Sequence, residues 1–224
     1  MMQEKTDTLI IKASSRTASI LFAFALLGTA VLASVFGMTR DIIDRNVELA
    51  KLELIGETLP SNLYDNDLIK DAIKLPPEKL LGTEEPTPAY RAKLKGQLTA
   101  IVFEVVAPDG YSGKIKLLVG IRPNGEVIGV RVVSHKETPG LGDYIEIAKS
   151  PWVKNFDGTV LSKDGDRKWR VKKDGGQFDY MTGATITPRA VVKAVYRSLL
   201  YFRENRTALL TENTTVPAPA TRKE

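Results

Sequence analysis

Residues 98–135 read LTAIVFEVVAPDGYSGKIKLLVGIRPNGEVIGVRVVSH, and the fold class turns on them. Apolar residues alternate or run in short blocks, rich in Val and Ile, and Gly or Pro pairs punctuate them. Asp109-Gly110 closes the first block and Asn124-Gly125 separates the second from the third. An Asn-Gly between two apolar runs is the strongest local hairpin signal a sequence carries, because both residues tolerate positive φ. Three successive antiparallel strands follow from this reading.

Downstream, 142–156 (GDYIEIAKSPWVKNF) sets Ile145, Ala148 and Trp152 at helical spacing, with Pro151 near an end or kink. KWRVKK and QFDYM are short strand candidates on either side of an Asp-Gly-Gly. Thr187-Pro188 reads as N-cap and first residue of a last helix, with Val191, Val192, Val195, Leu199 and Phe202 as its buried stripe. The order β-β-β-α-β-β-α predicts an α+β domain, an antiparallel sheet with helices packed on one side.

Upstream, no charge interrupts 17–39, and Arg16 and Arg40 bracket it. As a helix this segment is long enough to span a bilayer. The rival reading is a cleaved signal peptide, with small residues around Ala30 to Ser34 mimicking a cleavage site. Lys5, Lys12 and Arg16 before the span balance Arg40, Arg45 and Lys51 after it, so the charge bias favours a cytoplasmic N-terminus only slightly. Residues 38–60 carry Ile42, Ile43, Val47, Leu49, Leu52 and Leu54 at helical spacing, as a helix continuing from the span would. Pro76, Pro77, Pro86 and Pro88 break 75–96, which reads as a loop.

Composition narrows the chemistry. The 224 residues contain no cysteine and one histidine, His135, which excludes disulfides, thiol catalysis, thiolate-held clusters and multi-histidine metal sites. The net charge of +5 is dispersed among acidic residues, without the dense basic block of a nucleic-acid interface, so no nucleic-acid partner is expected; the charge also suits a surface near anionic lipid. Hard chemistry is left to carboxylates, hydroxyls or a bound cofactor.

Two segments carry that chemistry. SHKETPGLGD, 134–143, links a strand end to a helix start; Gly140 and Gly142 permit close backbone approach, and amides near Gly142 and Asp143 suit an anion. An ordinary strand-to-helix turn explains it equally. FDYMTGATITPRAVV, 178–192, sets Thr182, Thr185 and Thr187 beside a helix start whose free amides favour phosphate, with Gly183 for a tight turn. A capped helix behind a plain loop is the alternative. Lys136 and Lys193 are candidates for contact with an anionic group. His135, with no obvious acid beside it in the sequence, either tunes a bound ring or hydrogen-bonds at the strand end. Trp152, Phe156, Trp169 and Tyr180 read as packing residues, Tyr180 being the exception to watch.

Both segments resemble the flavin-binding G subunit of the Rnf-type ion-translocating electron transport complex. They are also similar to the C subunit of the sodium-translocating NADH:quinone reductase. In that family an Asp-x-x-Ser/Thr-Gly-Ala-Thr/Ser stretch is recognised by a flavin transferase, and its last hydroxyl becomes esterified to FMN. The match falls on Asp179, Thr182, Gly183, Ala184 and Thr185, which makes Thr185 the expected attachment residue. His135, Glu137, Thr138, Gly140, Leu141 and Gly142 match the second motif and are expected to lie against the flavin.

The resemblance implies an electron-relay subunit with covalent FMN, no catalytic residue and no metal of its own. Its partners would be the other subunits, the transferase and membrane lipid. Its place would be the bacterial inner membrane, with the flavin domain in the periplasm. The chain is short for the quinone reductase subunit; that subunit and a cofactor-free anchored structural or assembly protein are the alternatives. The expected organisation is a cytoplasmic tail at 1–16, a transmembrane helix at 17–39, and a juxtamembrane helix and linker at 40–95. The FMN-binding domain follows at 96–206, and a disordered tail at 207–224.

Overall fold

A computed structural model describes residues 2–161 and 166–211. The chain divides into two units, Met1–Ala50 and Lys51–Glu224. The first belongs to α1 (Met2–Thr58), in which Ser14–Ile43 is long and apolar enough to cross a membrane. Its side chains from Ser14 to Ile43 are exposed, as on a lone helix meant for lipid. The hydroxyls of Ser19, Ser34 and Thr39 donate to the carbonyls of Ser15, Ala30 and Val35 at 2.9, 2.8 and 2.8 Å. Polar groups are thereby satisfied within the helix itself, which an apolar solvent requires.

The second unit is built on a five-stranded antiparallel sheet in chain order: β1 (Ile73–Leu75), β2 (Thr87–Leu94), β3 (Gln97–Ala107), β4 (Ile115–Ile121) and β5 (Val127–Ser134). The three strands expected from residues 98–135 are β3, β4 and β5. The Asn-Gly sits in a three-residue loop: Arg122 and Glu126 bond at 2.8 Å, and Gly125 holds φ 92°.

β2 arises where a loop was expected, and β1 in the linker just ahead of it. Pro88 is tolerated near the start of β2. Leu94 pairs with Gln97, so Lys95 (φ 53°) and Gly96 (φ 79°) form a two-residue turn with both φ positive, the geometry that matches strand twist.

Alternation along β3 and β4 feeds two cores. Ile101, Phe103, Val105, Ile115, Leu117 and Val119 face one side; Ala100, Val102 and Leu118 face the other. The first side is covered by α2 (Ile186–Leu210) and by the segment before it. Val191, Val192, Val195, Leu199 and Phe202 are all buried in it, as their spacing required, and Phe103 meets the Tyr201 ring edge-on at 5.9 Å. The other side is covered by the end of α1 and the residues after it, through Ile55, Leu59, Leu68 and Tyr64. Cover therefore lies on both faces, not one.

The segment 142–156 is not one helix. It forms two short 3-10 pieces, the single turn Asp143–Ile145 and the two-turn Pro151–Phe156. Ser150 caps the second, its Oγ accepting from the Trp152 amide at 3.2 Å, with Pro151 as first residue. The expected strands at KWRVKK and QFDYM reduce to one bridge, Val171 with Phe178, around a 3-10 turn at Lys172–Asp174. Residues 212–224, the bulk of the expected disordered tail, lie outside the described residues; α2 itself runs to Leu210.

The end of α1 rests on a glycine pair. Gly120 and Gly129 face each other across β4 and β5. A Cβ on Gly129 would meet the Thr58 carbonyl oxygen at 2.8 Å, and one on Gly120 the Thr58 methyl at 3.1 Å. Arg131 closes the contact, donating from Nη2 to the Glu57 carbonyl at 2.8 Å, one of the unsatisfied acceptors of the helix end. Gly129→Ala should cost about 1–3 kcal/mol through overpacking and lower the thermal midpoint by several degrees in a melting experiment. An unchanged midpoint would mean that the helix end does not sit on this pair.

Candidate flavin attachment site

The loop after β5 is closed by its own hydrogen bonds. Leu141 and Gly142 amides both donate to the Thr138 carbonyl, at 3.1 and 3.0 Å. The Gly140 amide donates to Asp143 Oδ1 at 2.8 Å, and Gly140 holds φ 77°, where a side chain would be strained. Thr138, Pro139, Gly140 and Leu141 are exposed, whereas Gly142 and Asp143 are buried.

His135 does have an acid partner. Its Nδ1 accepts from the Glu137 amide at 3.0 Å, so the ring hydrogen sits on Nε2, which donates to Glu146 Oε1 at 2.5 Å. The pair borders a cavity of about 350 Å³ between Leu54 and Ile147, which none of residues 179–185 lines. Lys136 is exposed.

Glu137 is 4% exposed. Its Oε1 accepts from the Ser112 amide at 2.9 Å, and its Oε2 accepts from the Thr187 hydroxyl. The loop after β5, the turn between β3 and β4, and the start of α2 thus meet on one carboxylate. Neither Ser112 nor this use of Thr187 was anticipated from the sequence, where 50 residues separate the two side chains of the Glu137–Thr187 bond.

The second segment is held from beneath by aromatic residues. Trp152 Nε1 donates to the Asp179 carbonyl at 2.7 Å, and the Met181 amide donates to the Tyr144 hydroxyl at 3.3 Å. Burial pushes the Tyr144 phenol above its ordinary range, against the opposing effect of that amide bond, so it stays a neutral acceptor. Trp152, Phe156, Trp169 and Phe178 pack ring on ring, with Phe156 and Phe178 centroids 4.6 Å apart. Over this base Ala184 bonds back to the Met181 carbonyl at 3.0 Å, and Gly183 takes φ 90° in the resulting turn. The Asp179 carboxylate pairs with Lys172 at 2.5 Å.

Helix α2 begins two residues earlier than its Thr-Pro suggested. Thr185 is the cap residue, with helix-like φ −81° and ψ −24°, and its side chain makes no capping hydrogen bond. Thr187, expected as cap, is instead second in the helix and 1% exposed. Pro188 is third, where its missing N–H is still no loss. The amides of Ile186 and Thr187 stand in the first turn, whose positive dipole end favours an anion. Exposed around this turn are Thr182, Gly183, Tyr180, Met181 and Ile186, with Thr185 half-buried. Among the rings, Tyr180 is on the surface, and Trp152, Phe156 and Trp169 are core, as expected.

Two ion pairs brace α2. Arg189 grips Asp174 with both Nε and Nη2 at 2.6 Å, which holds the Asp174 carboxyl below its ordinary range. Lys193 pairs with Asp109 at 2.5 Å, so this candidate for anion contact is already engaged.

Residues 110–200 match the family model described as an FMN-binding domain, and residues 1–57 match that of the RnfG N-terminal region. The G subunit of the ion-translocating oxidoreductase complex of Pseudomonas aeruginosa (strain UCBPP-PA14) is 50% identical over 195 residues, spanning 87% of this chain and 91% of that protein. The chain belongs to the family of G subunits of ion-translocating oxidoreductase complexes. The corresponding G subunit of Shewanella loihica is 49% identical over 195 residues, spanning 87% of this chain and 92% of that one. A crystal structure of NqrC from Shewanella oneidensis superposes with a TM-score of 0.47 at 23% identity, over 67% of this chain and 77% of that chain. In this member of the G subunit family the FMN-binding match takes in Ser112, both motif segments and the first turns of α2.

The Lys193–Asp109 pair gives a test with a defined sign. Burial works to raise the Asp109 pKa, but the Lys193 bond and charge bring it below its ordinary value. Its stabilisation is therefore complete above the unfolded value, about 3.9, and is lost as pH falls through the folded value. Asp109→Asn should cost less than about 1 kcal/mol near neutrality, as a half-exposed pair does. In denaturant titrations its deficit should vanish toward pH 2, about two units under the carboxylate reference. A deficit independent of pH would place the effect outside the ion pair.

Proposed function

We propose that this chain is an electron-relay subunit of a membrane-bound ion-translocating electron transport complex. It carries FMN through a phosphoester on Thr185. The observation that carries the reading is the setting of Thr185. Its hydroxyl is free of any capping bond at the N-terminus of a 25-residue helix, and it closes an Asp-x-x-Thr-Gly-Ala-Thr stretch inside the FMN-binding match.

The residues fit the group. The first-turn amides of α2 and its dipole suit a phosphate, while exposed Leu141, Met181 and Ile186 offer apolar side chains to a flat ring. FMN, when bound, supplies the capacity to accept and release electrons; the chain supplies position and surroundings. In the attachment step the Thr185 Oγ–P bond forms as the bond from phosphorus to the leaving group of an activated flavin nucleotide breaks. The threonine proton leaves with that group. A separate flavin transferase reads Asp179, Thr182, Gly183 and Ala184, on a segment whose exposed turn is open to it.

By this reading His135, Thr138, Gly140, Leu141 and Gly142 form the loop beside the flavin, and the subunit itself has no catalytic residue. The helix at Ser14–Ile43 anchors the chain in the bacterial inner membrane and the flavin domain stands in the periplasm. The other subunits of the complex are its redox partners.

Intact mass of the protein made with the transferase present tests the attachment. The wild type should exceed its sequence mass by one FMN less one water and stay yellow after denaturation, and Thr185→Val should lose both. A wild type at sequence mass, without flavin fluorescence, would leave an anchored structural role instead.

A further inference from the structure

We infer that Glu137 is a positioning residue for Thr185: by accepting the Thr187 hydroxyl it fixes the rotation of the first turn of α2 and turns the Thr185 hydroxyl outward. The inference rests on the reading of Thr185 as the attachment residue. It moves Glu137 from a side chain lying against the flavin to one that acts from below it.

Three observations converge. The carboxylate is buried and both its oxygens are taken, Oε1 by the Ser112 amide and Oε2 by Thr187, so neither points toward a surface ligand. Successive residues of a helix turn by about 100°, so fixing Thr187 inward sets position 185 about 200° away, on the outward side. Thr187 is 1% exposed, whereas Thr185 is half-buried with its hydroxyl uncapped, as that rotation demands.

The third observation is Gly142. Its φ of −93° and ψ of −14° suit any residue, so backbone freedom does not require glycine there. Space does: a Cβ would stand 2.8 Å from Glu137 Cβ, 3.0 Å from Glu137 Oε2 and 3.0 Å from Thr187 Oγ1. The gap at Gly142 is the room in which the carboxylate and the hydroxyl meet. On the opposite side a Cβ on Gly110 would lie 3.0 Å from Glu137 Oε1.

The test uses the full chain made with the flavin transferase, measuring the initial rate of covalent flavin incorporation per folded protein. Amide hydrogen exchange over 185–190 is measured beside it on flavin-free protein. Thr187→Val keeps the shape and removes the donor. It should slow incorporation roughly fivefold, the factor that one net hydrogen bond of typical strength represents, and speed exchange in the first turn. Thr187→Ser should return the rate to within about twofold, because the donor is restored. Gly142→Ala should reproduce the valine variant.

A folded Thr187→Val that takes up flavin at the wild-type rate overturns the inference. So does a serine variant as slow as valine, since the methyl packing and not the hydroxyl would then matter. Should valine prevent folding, Glu137→Met keeps the approximate volume and removes both acceptors, whereas a glutamine could still donate to the Thr187 hydroxyl; a wild-type rate in the methionine variant overturns the inference equally. A wild type that takes no flavin sinks the reading of Thr185 itself, and is told apart because the failure appears before any substitution.

Discussion

A buried carboxylate is costly unless donors surround it, and the flavin-binding unit is organised around one that is so surrounded. Glu137 stands where β5 ends, and its two oxygens gather the β3–β4 turn through Ser112 and the start of α2 through Thr187. Its backbone amide is used as well, donating to His135, whose other ring nitrogen reaches Glu146. Segments far apart in sequence are brought to one point by groups that burial makes expensive to leave unpaired. Glycine at 142 and 110 is what lets the backbone come that near.

The sheet supplies the rigid floor under this point. One face is sealed by α2 and the aromatic cluster, the other by the end of α1 seated on Gly120 and Gly129. Covering both faces leaves β3 and β4 with near-continuous apolar runs, and a firm sheet holds the loop after β5 in register with α2. The same aromatic cluster that fills the core also holds the segment leading into α2, since Trp152 and Tyr144 each send their one polar group to the backbone of 179–181.

Much of this was legible in the sequence because it is local. Alternation and the Asn-Gly marked β3 to β5, and 3.6-residue spacing marked the buried stripe of α2. The two motif segments stood out by their Gly, Thr and Pro content. What escaped was decided elsewhere. β2 was hidden by Pro88, which a strand start tolerates, and by a Lys-Gly turn that lacks the usual signal; β1 is only three residues long, too short to show a period. The helix expected over 142–156 failed because Ser150 and Pro151 restart the chain, which spacing alone does not register. Thr187 resembled a cap because Thr-Pro is a good local cap pattern. Its burial against Glu137 is a contact across 50 residues, and no local rule contains it. The Glu146 partner of His135 was missed for the same reason.

Three threonines close together in the chain stand in three different settings. Thr182 lies on an exposed turn, Thr185 at an uncapped helix start, and Thr187 is sealed against Glu137. Chemistry alone would let any of the three hydroxyls carry a phosphoester. The most direct measurement is fragmentation of the tryptic peptide covering 174–189, taken from protein matured by the transferase. The flavin phosphate is expected on Thr185 alone. A flavin on Thr182 or Thr187, or a peptide that carries none, would contradict the central role given to Thr185.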